Sequence, residues 1–193
     1  MKIAFLSSIY PAHAEKIYRE NPTLKNQTSQ EQTEFIRWHA ALSITVNRID
    51  FLKNKGCSVC NFNIGLGEVA IKWAEENQFE ATGKNKIIKI GIEKIKRFNP
   101  DIIYCLAPLV YIKNGFIESI ISILNKKCKL IAWYGANCGN ESIFSNFDLT
   151  ISNSKFLVSS LKKKGFDSQF LQHSFELDIL KKINIPKSNR NVI

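Results

Sequence analysis

The stretch KLIAWYGANCGNESIFSNFDLTISNSKFLVSSLKKKGFDSQFLQHSFE, residues 129–176, predicts a strand, a loop, a strand, a helix and a strand in turn. The short apolar run Leu130–Tyr134 stops at Gly135, where the backbone can turn freely. A second strand, Leu149–Ile151, leads into Ser152–Ser154, whose residue types suit the start of a helix. Strands joined by helices in this way predict a parallel sheet that is buried on both faces.

The remainder of this stretch completes the same pattern. A helix is predicted at Lys155–Lys164, with Phe156, Leu157 and Leu161 on its apolar side and lysines in its last turn. A further strand at Phe170–Leu171 then leads towards the C-terminal residues. The whole chain is therefore predicted to be an α/β protein of Rossmann-like fold, with a mostly parallel sheet and helices on both faces.

Parallel sheets of this kind bind ligands beyond the carboxyl ends of their strands. Several polar and aromatic residues stand at these predicted ends, after the first strand Lys2–Ser7 and after the strands described above. The predicted substrate-binding cleft consists of Ser8, Tyr10, Tyr134, Gly135, Asn137, Ser152, Asn153 and His173.

The segment between the first and second strands carries two more predictions. Residues Ser8–Thr28 are polar and contain Pro11 and Asn21-Pro22, which predicts a long binding loop in place of the usual glycine-rich turn. No GxGxxG pattern follows the first strand, so an ordinary dinucleotide site is not expected. Apolar residues recur at three- and four-residue steps across Ser29–Lys55, which predicts one long amphipathic helix.

Composition places the chain among globular proteins, with 45% hydrophobic and 23% charged residues. The N-terminus does not read as a signal peptide, and no apolar run approaches the roughly 20 residues that a membrane-spanning helix needs. A cytoplasmic protein is therefore expected. Five cysteines argue against a disulfide framework, and no metal-ligand spacing is present, so no metal site is predicted.

The formal net charge of +10 is the unusual bulk property. Lysines on solvated helix faces explain it most simply, while contact with an anionic membrane surface or another polyanion is the functional alternative. Nucleic-acid binding would rest on charge alone, because no nucleic-acid motif accompanies it. We expect no nucleic-acid partner.

The chain divides into a Rossmann-like domain at residues 1–183 and a polar linker at residues 184–193. Val192 and Ile193 resemble the start of a new strand, which predicts a further domain beyond the linker.

Six motifs in order resemble the N-terminal half of bacterial GT-B glycosyltransferases, of the family-1-like or spore-maturation-like branch. They are AEKIYRENPTLKNQTSQEQ at Ala14–Gln32, the helix around Trp38, KWAEEN at Lys72–Asn77, RFNPDIIYCL at Arg97–Leu106, IAWYGA at Ile131–Ala136 and FLQHSFELDIL at Phe170–Leu180. The resemblance covers nearly the whole chain and depends on the order and spacing of the motifs. The sequence departs from the family after its first strand, where Ser7–Pro11 replaces a glycine-rich turn.

The resemblance implies that this domain holds a glycan or glycoconjugate acceptor. A C-terminal domain would hold the nucleotide-sugar donor, and this domain would bind no cofactor and be inactive or nearly so by itself. Helix dipoles and basic side chains would stabilise the leaving diphosphate without a metal ion. A lipid-linked acceptor would place the enzyme peripherally at the inner face of the membrane.

Transfer to a sugar hydroxyl calls for a base or a positioned polar group. His173 at a strand end and His13 in the first loop are the catalytic candidates, with Glu141 as an alternative base. Trp133 or Tyr134 would stack on a sugar ring. A complete single-domain α/β binding or regulatory protein is the alternative interpretation of the chain, and it predicts a C-terminus that packs back on the sheet.

Overall fold

The computed structural model describes residues 1–39, 43–124, 127–136 and 139–172, which form an α/β fold. The strands are β1 Lys2–Ser7, β2 Ser58–Asn63, β3 Ile102–Cys105, β4 Lys129–Trp133, β5 Leu149–Ser152 and β6 Ser168–Phe170. The helices are α1 Pro11–Glu20, α2 Ser29–His39, α3 Ser43–Asn54, α4 Gly67–Glu76, α5 Lys86–Phe98, α6 Pro108–Lys113, α7 Phe116–Ile123 and α8 Lys155–Lys163. Short 3-10 helices lie at Pro22–Asn26 and Glu141–Asn146.

The strands form one sheet in the order β2-β1-β3-β4-β5-β6, and every neighbouring pair is parallel. This arrangement confirms the predicted Rossmann-like α/β fold. The chain moves one way across the sheet from β1 to β2, and the opposite way in every later step. None of the described helices is long and apolar enough to cross a membrane.

The two faces of the sheet are covered by different parts of the chain. On one face, Leu6, Ile103 and Ala132 are buried in a core that includes residues of α5, α7 and α8. On the other face, Ile3 and Phe5 pack against Ile49 of α3. Right-handed crossovers explain this division, because only the β1-to-β2 connection runs in the direction that places helices on the second face.

The prediction of one helix across Ser29–Lys55 is wrong. The structure has α2 and α3 there, and an Arg37 Nη2 to Asp50 Oδ1 ion pair of 3.0 Å joins them. In a single straight helix these two residues would lie about 20 Å apart along the axis. The apolar periodicity was compatible with either arrangement, since both helices bury one face.

The prediction of a long polar loop across Ser8–Thr28 is also wrong. Pro11 occupies the first turn of α1, where its missing N–H and fixed φ are well tolerated. The buried residues Ala14, Ile17 and Tyr18 follow at helical spacing, and the 3-10 helix comes next. Charged residues between them on the solvent side hid this periodicity.

Two smaller differences concern helices near the candidate site. Helix α6 was not predicted, and its Pro108 stands in the first turn, where proline is well tolerated. In α8, the side chains that enter the core are Leu157, Val158 and Leu161, whereas Phe156 is 74% exposed. The prediction for Leu157 and Leu161 is therefore confirmed, and the prediction for Phe156 is wrong.

Candidate functional site

The carboxyl ends of all six strands lie along one edge of the sheet, as parallel pairing requires. The chain order places a topological switch point between β1 and β3, because the chain leaves these neighbouring strands in opposite directions. Ligands of open α/β sheets bind in crevices at such points, outside the strand ends. A ligand site is therefore expected at this edge.

Tyr111 of α6 closes the part of this edge beside β1 and β2. Its hydroxyl oxygen lies 2.6 Å from the Ser7 carbonyl and 3.0 Å from the Phe62 carbonyl, and it accepts the Ile64 N–H at 3.2 Å. The side chain is fully buried, and burial raises the pKa of its hydroxyl well above the ordinary value. Tyr111 is thus a structural link between two strand ends, and no sequence motif marked it.

The neighbouring loops also pack closely at this position. A Cβ atom added to Gly65 would lie 2.9 Å from Ile9 Cγ2, so only glycine allows the loop after β2 to meet the loop after β1. The loops that follow β1 and β2 are therefore closely packed against each other. A cavity of about 570 Å³ lies outside them, lined by residues of α1, the loop after β2 and the start of α4, and a second space lies towards β3 and β4.

Trp133, Tyr134, Gly135 and Asn153 come together at the ends of β4 and β5. The Tyr134 N–H donates to the Ile151 carbonyl at 3.0 Å, which carries the β4–β5 pairing into the loop. A Cβ atom added to Gly135 would lie 2.6 Å from Asn153 Oδ1 and 3.0 Å from the Trp133 ring. The bare backbone of Gly135 is what allows the amide and the indole to approach each other here.

Asn153 Oδ1 is buried and accepts no hydrogen bond from any residue that the structure describes. A buried carbonyl oxygen without a donor costs about 1–3 kcal/mol, so such atoms are uncommon and call for an explanation. Ser152 beside it is fully buried, and its Oγ accepts the Ser154 N–H at 3.0 Å. Ser152 therefore shapes the turn that presents Asn153.

An apolar cavity of about 360 Å³ opens next to this group of residues. Its walls are Leu106, Ala107, Pro108, Leu109, Val110, Trp133, Tyr134, Gly135 and Ala136. The α6 residues Leu109 and Val110 are partly exposed at its rim. We call Trp133, Tyr134, Gly135 and Asn153, with this cavity, the carboxyl-end corner.

The predicted residues after β1 lie in the first turns of the following segment. Ser8 is half-buried, while Tyr10 is 84% exposed and its carbonyl accepts the N–H groups of His13 and Ala14. His13 is half-buried in the first turn of α1, and not in a loop as predicted. The predicted site residues Asn137 and His173 lie outside the described residues.

Glu141 is a poor candidate for a base. Its carboxylate accepts hydrogen bonds from the Lys164 ammonium and, at 2.9 Å, from the Ser160 hydroxyl. These contacts lower its pKa to about 2, with the Lys164 hydrogen bond as the largest cause. A carboxylate with so low a pKa takes up a proton poorly at neutral pH.

Comparisons of the chain with protein-family models, with curated proteins and with solved structures give no match. The described residues bring together no group of three His, Cys, Asp or Glu side chains that could hold a metal ion. The class that the fold defines is a Rossmann-like α/β protein with an open carboxyl-end corner.

Proposed function

We propose that this chain is the acceptor-side domain of a sugar transferase and that the carboxyl-end corner holds the acceptor glycan. The observation that carries this proposal is Asn153 Oδ1, a buried acceptor that has no donor among the described residues and that lies, with the Trp133 ring, against the Gly135 backbone. Sugars present hydroxyl donors around an apolar ring face. The corner offers a matching carbonyl acceptor and aromatic surface.

The cost of leaving the Asn153 amide oxygen unpaired favours a ligand that donates a hydrogen bond to it. The amide oxygen lost water on folding and gained no hydrogen bond from the described residues. A sugar hydroxyl that donates to it would remove the unpaired state, which is worth about 1–3 kcal/mol. Leu109 and Val110 supply apolar walls to the neighbouring cavity, and these walls would pack against the apolar face of the sugar.

The resemblance to bacterial GT-B glycosyltransferases supplies the rest of the proposed enzyme. A nucleotide-sugar would be the donor substrate, bound by a C-terminal domain that faces this edge. The exposed side chains of Tyr10, Leu109, Val110 and Phe156 supply apolar surface that suits contact with such a domain. The net charge of +10 suits docking at the inner face of a membrane that carries a lipid-linked acceptor.

His13 and His173 remain the candidates for the catalytic base, and this chain would transfer little or no sugar by itself. His13 lies in the first turn of α1, at the carboxyl end of β1, on the same edge of the sheet as the corner. The base role of either histidine is tested by substitution to Gln in an enzyme that also contains the donor-binding domain.

Ligand-observed NMR with a panel of methyl glycosides and short oligosaccharides tests glycan binding by the chain. We expect at least one glycan to bind, and Asn153→Ala to weaken it about tenfold, since one buried hydrogen bond is lost. Asn146→Ala is the matched control, because Asn146 is exposed on the 3-10 helix at Glu141–Asn146 and outside the corner. No glycan binding, or equal affinity in Asn153→Ala and the native chain, would refute the acceptor site.

A stability measurement separates this role from a structural one. Because no described residue donates to Asn153 Oδ1, Asn153→Ala should leave the free energy of unfolding unchanged or raise it by up to about 1–3 kcal/mol. Urea unfolding followed by circular dichroism gives this value. A loss of stability alongside the loss of binding would indicate that Asn153 supports the fold.

A further inference from the structure

A larger cavity, of about 600 Å³, lies beside the edge strand β2. Its walls include the middle residues of β2 and the C-terminal halves of α3, α4 and α5, and α2 closes it from outside. These helix halves lie towards the amino ends of the strands. The cavity is therefore separate from the carboxyl-end corner, and we call it the edge cavity.

Arg37 of α2 is the buried charged group of the edge cavity. Only 7% of the residue is exposed, and its Nη2 donates to Asp50 Oδ1 at 3.0 Å. Its Nε is buried and donates to no acceptor in the described part of the chain. A guanidinium N–H that is buried without an acceptor is costly, so an acceptor from outside the chain would be bound favourably.

Two lysines line the same cavity. Lys94 of α5 is half-buried, and its Nζ lies 5.7 Å from the centre of the Trp73 ring. Burial lowers the pKa of its ammonium group, an effect that the nearby Cys60 and Glu76 oppose. Lys53 of α3 is exposed at the rim, and the described residues form no ion pair with either lysine.

The two carboxylates that line the edge cavity, in contrast, already accept hydrogen bonds. The Glu76 carboxylate accepts from the Ser29 N–H at 2.8 Å and from the Ser29 hydroxyl at 2.6 Å. Glu34 Oε1 accepts from Gln30 Nε2 at 3.3 Å. Among the described residues, the cavity thus combines a guanidinium N–H without an acceptor and two lysines without an ion pair with carboxylates that already accept hydrogen bonds. This arrangement favours an anionic ligand.

We propose that the edge cavity binds a small molecule through an anionic group, a carboxylate or a phosphate, held by Arg37, Lys53 and Lys94. The guanidinium and the two ammonium groups would make charge-assisted hydrogen bonds to its oxygens. Trp73 and the apolar side chains of Ile49 and Val59 would pack against the remainder of the molecule. This site does not depend on the proposed sugar site.

Titration with inorganic phosphate and with citrate tests the proposal on the full chain. Ionic strength is held constant with sodium chloride, and binding is measured by isothermal calorimetry and by the shift of the thermal midpoint. We expect saturable binding of at least one anion. Lys53→Gln and Lys94→Gln should each weaken it about tenfold, the size of one charge-assisted hydrogen bond.

Lys96→Gln is the matched control. Lys96 lies on the same helix as Lys94 and carries the same charge, but it is exposed and outside the cavity. Its substitution should leave the affinity unchanged, and its net charge equals that of the two test variants. Equal weakening in all three variants would show a general charge effect and would overturn the proposal.

The two probes also distinguish the sources of the anionic group. Saturable phosphate binding supports a phosphorylated ligand, and saturable citrate binding without phosphate binding supports a carboxylate ligand. Absence of saturable binding by both probes overturns the proposal, as does affinity that survives Lys53→Gln and Lys94→Gln. If Arg37→Gln fails to fold because Asp50 loses its partner, the lysine variants still decide the question.

Discussion

A single tyrosine hydroxyl joins the carboxyl ends of two neighbouring strands, β1 and β2. Tyr111 meets the carbonyls of Ser7 and Phe62 and the N–H of Ile64, so it connects the ends of β1 and β2 to helix α6. Its ring packs edge-on against Phe62 and Phe116. Such a polar group is tolerated in the core because its O–H donates to a backbone carbonyl and its oxygen accepts a backbone N–H.

Substituting Tyr111→Phe should lower the free energy of unfolding by about 1–3 kcal/mol. The ring remains, but buried backbone groups at Ser7, Phe62 and Ile64 lose a partner. Urea unfolding followed by tryptophan fluorescence measures the change. Tyr10→Phe serves as the control, because Tyr10 is 84% exposed, and an equal loss in both variants would contradict the role given to Tyr111.

At the scale of elements, helix α5 approaches β2 and α7 through Gly91. The rings of Phe62 and Phe116 stack there with centroids 5.4 Å apart and planes inclined by 7°. A Cβ atom added to Gly91 would collide with the Phe62 ring and would lie 2.8 Å from Phe116 Cε2. Glycine is thus retained inside a helix although alanine favours helix formation by about 1 kcal/mol.

Gly91→Ala should therefore destabilise the protein by about 1–3 kcal/mol, against the helix preference, because the added methyl group overpacks a fully occupied core. Lys96→Ala on the exposed side of the same helix should change stability by no more than about 0.5 kcal/mol. Chemical denaturation of both variants makes the comparison. A Gly91→Ala protein as stable as the native chain would show that the two rings can move apart.

The Glu141–Lys164 pair ties the 3-10 helix at Glu141–Asn146 to the end of α8. The folded pKa of Glu141, about 2, lies below its ordinary value of 4.5. The pair therefore stabilises the protein above about pH 4.5, and this contribution is lost as the pH falls towards 2. Asp148 acts in the same direction, since hydrogen bonds from Lys129 and the Leu130 N–H lower its pKa despite burial.

We expect Glu141→Gln to flatten the acid side of the stability profile. A glutamine cannot titrate, so the variant should lose less stability than the native chain between pH 4.5 and 2. Thermal midpoints measured across this range by circular dichroism give both profiles. Glu15→Gln is a suitable control, because Glu15 is exposed on α1 and is distant in sequence from Glu141. Identical stability profiles for the native chain and both variants would exclude the Glu141–Lys164 pair as a source of acid sensitivity.

At the scale of the whole molecule, the sheet is buried to different degrees on its two faces. Ile103 and Ala132 on the first face are fully buried, whereas their neighbours Ile102, Tyr104 and Ile131 on the second face are half-buried. A groove of about 500 Å³ runs along the second face beside these residues. The direction of the crossovers explains the difference, since most of them place their helices on the first face.

The two faces should respond differently to the same substitution. Ile103→Ala should cost about 2–5 kcal/mol, because it leaves a cavity in a closed core. Ile131→Ala should cost clearly less, about 1 kcal/mol, because its side chain is already partly exposed along the groove. Equilibrium unfolding of both variants decides this, and equal losses would mean that the second face is as well covered as the first.

Much of the fold could be predicted from local sequence because its signals are local. Short apolar runs that end at glycine or at capping residues located the strands, and Ser154 accepts the Leu157 N–H at the start of α8 as its residue type indicated. The errors arose where local signals are ambiguous. Periodicity alone could not separate α2 from α3, and polar side chains concealed α1 within a segment that reads as a loop.

Only part of the candidate site could be predicted from the sequence. Parallel topology alone placed Tyr134, Gly135 and Asn153 at one edge, because strand ends coincide in such a sheet. The sequence by itself thus determined the α/β fold and that edge, since alternation, caps and glycines act within a few residues. Tertiary structure decided that Tyr111 joins the ends of β1 and β2, that Asn153 Oδ1 receives no hydrogen bond from the described residues, and that Arg37, Lys53 and Lys94 share a cavity. Each of these depends on contacts between residues distant in the chain, which no local pattern specifies.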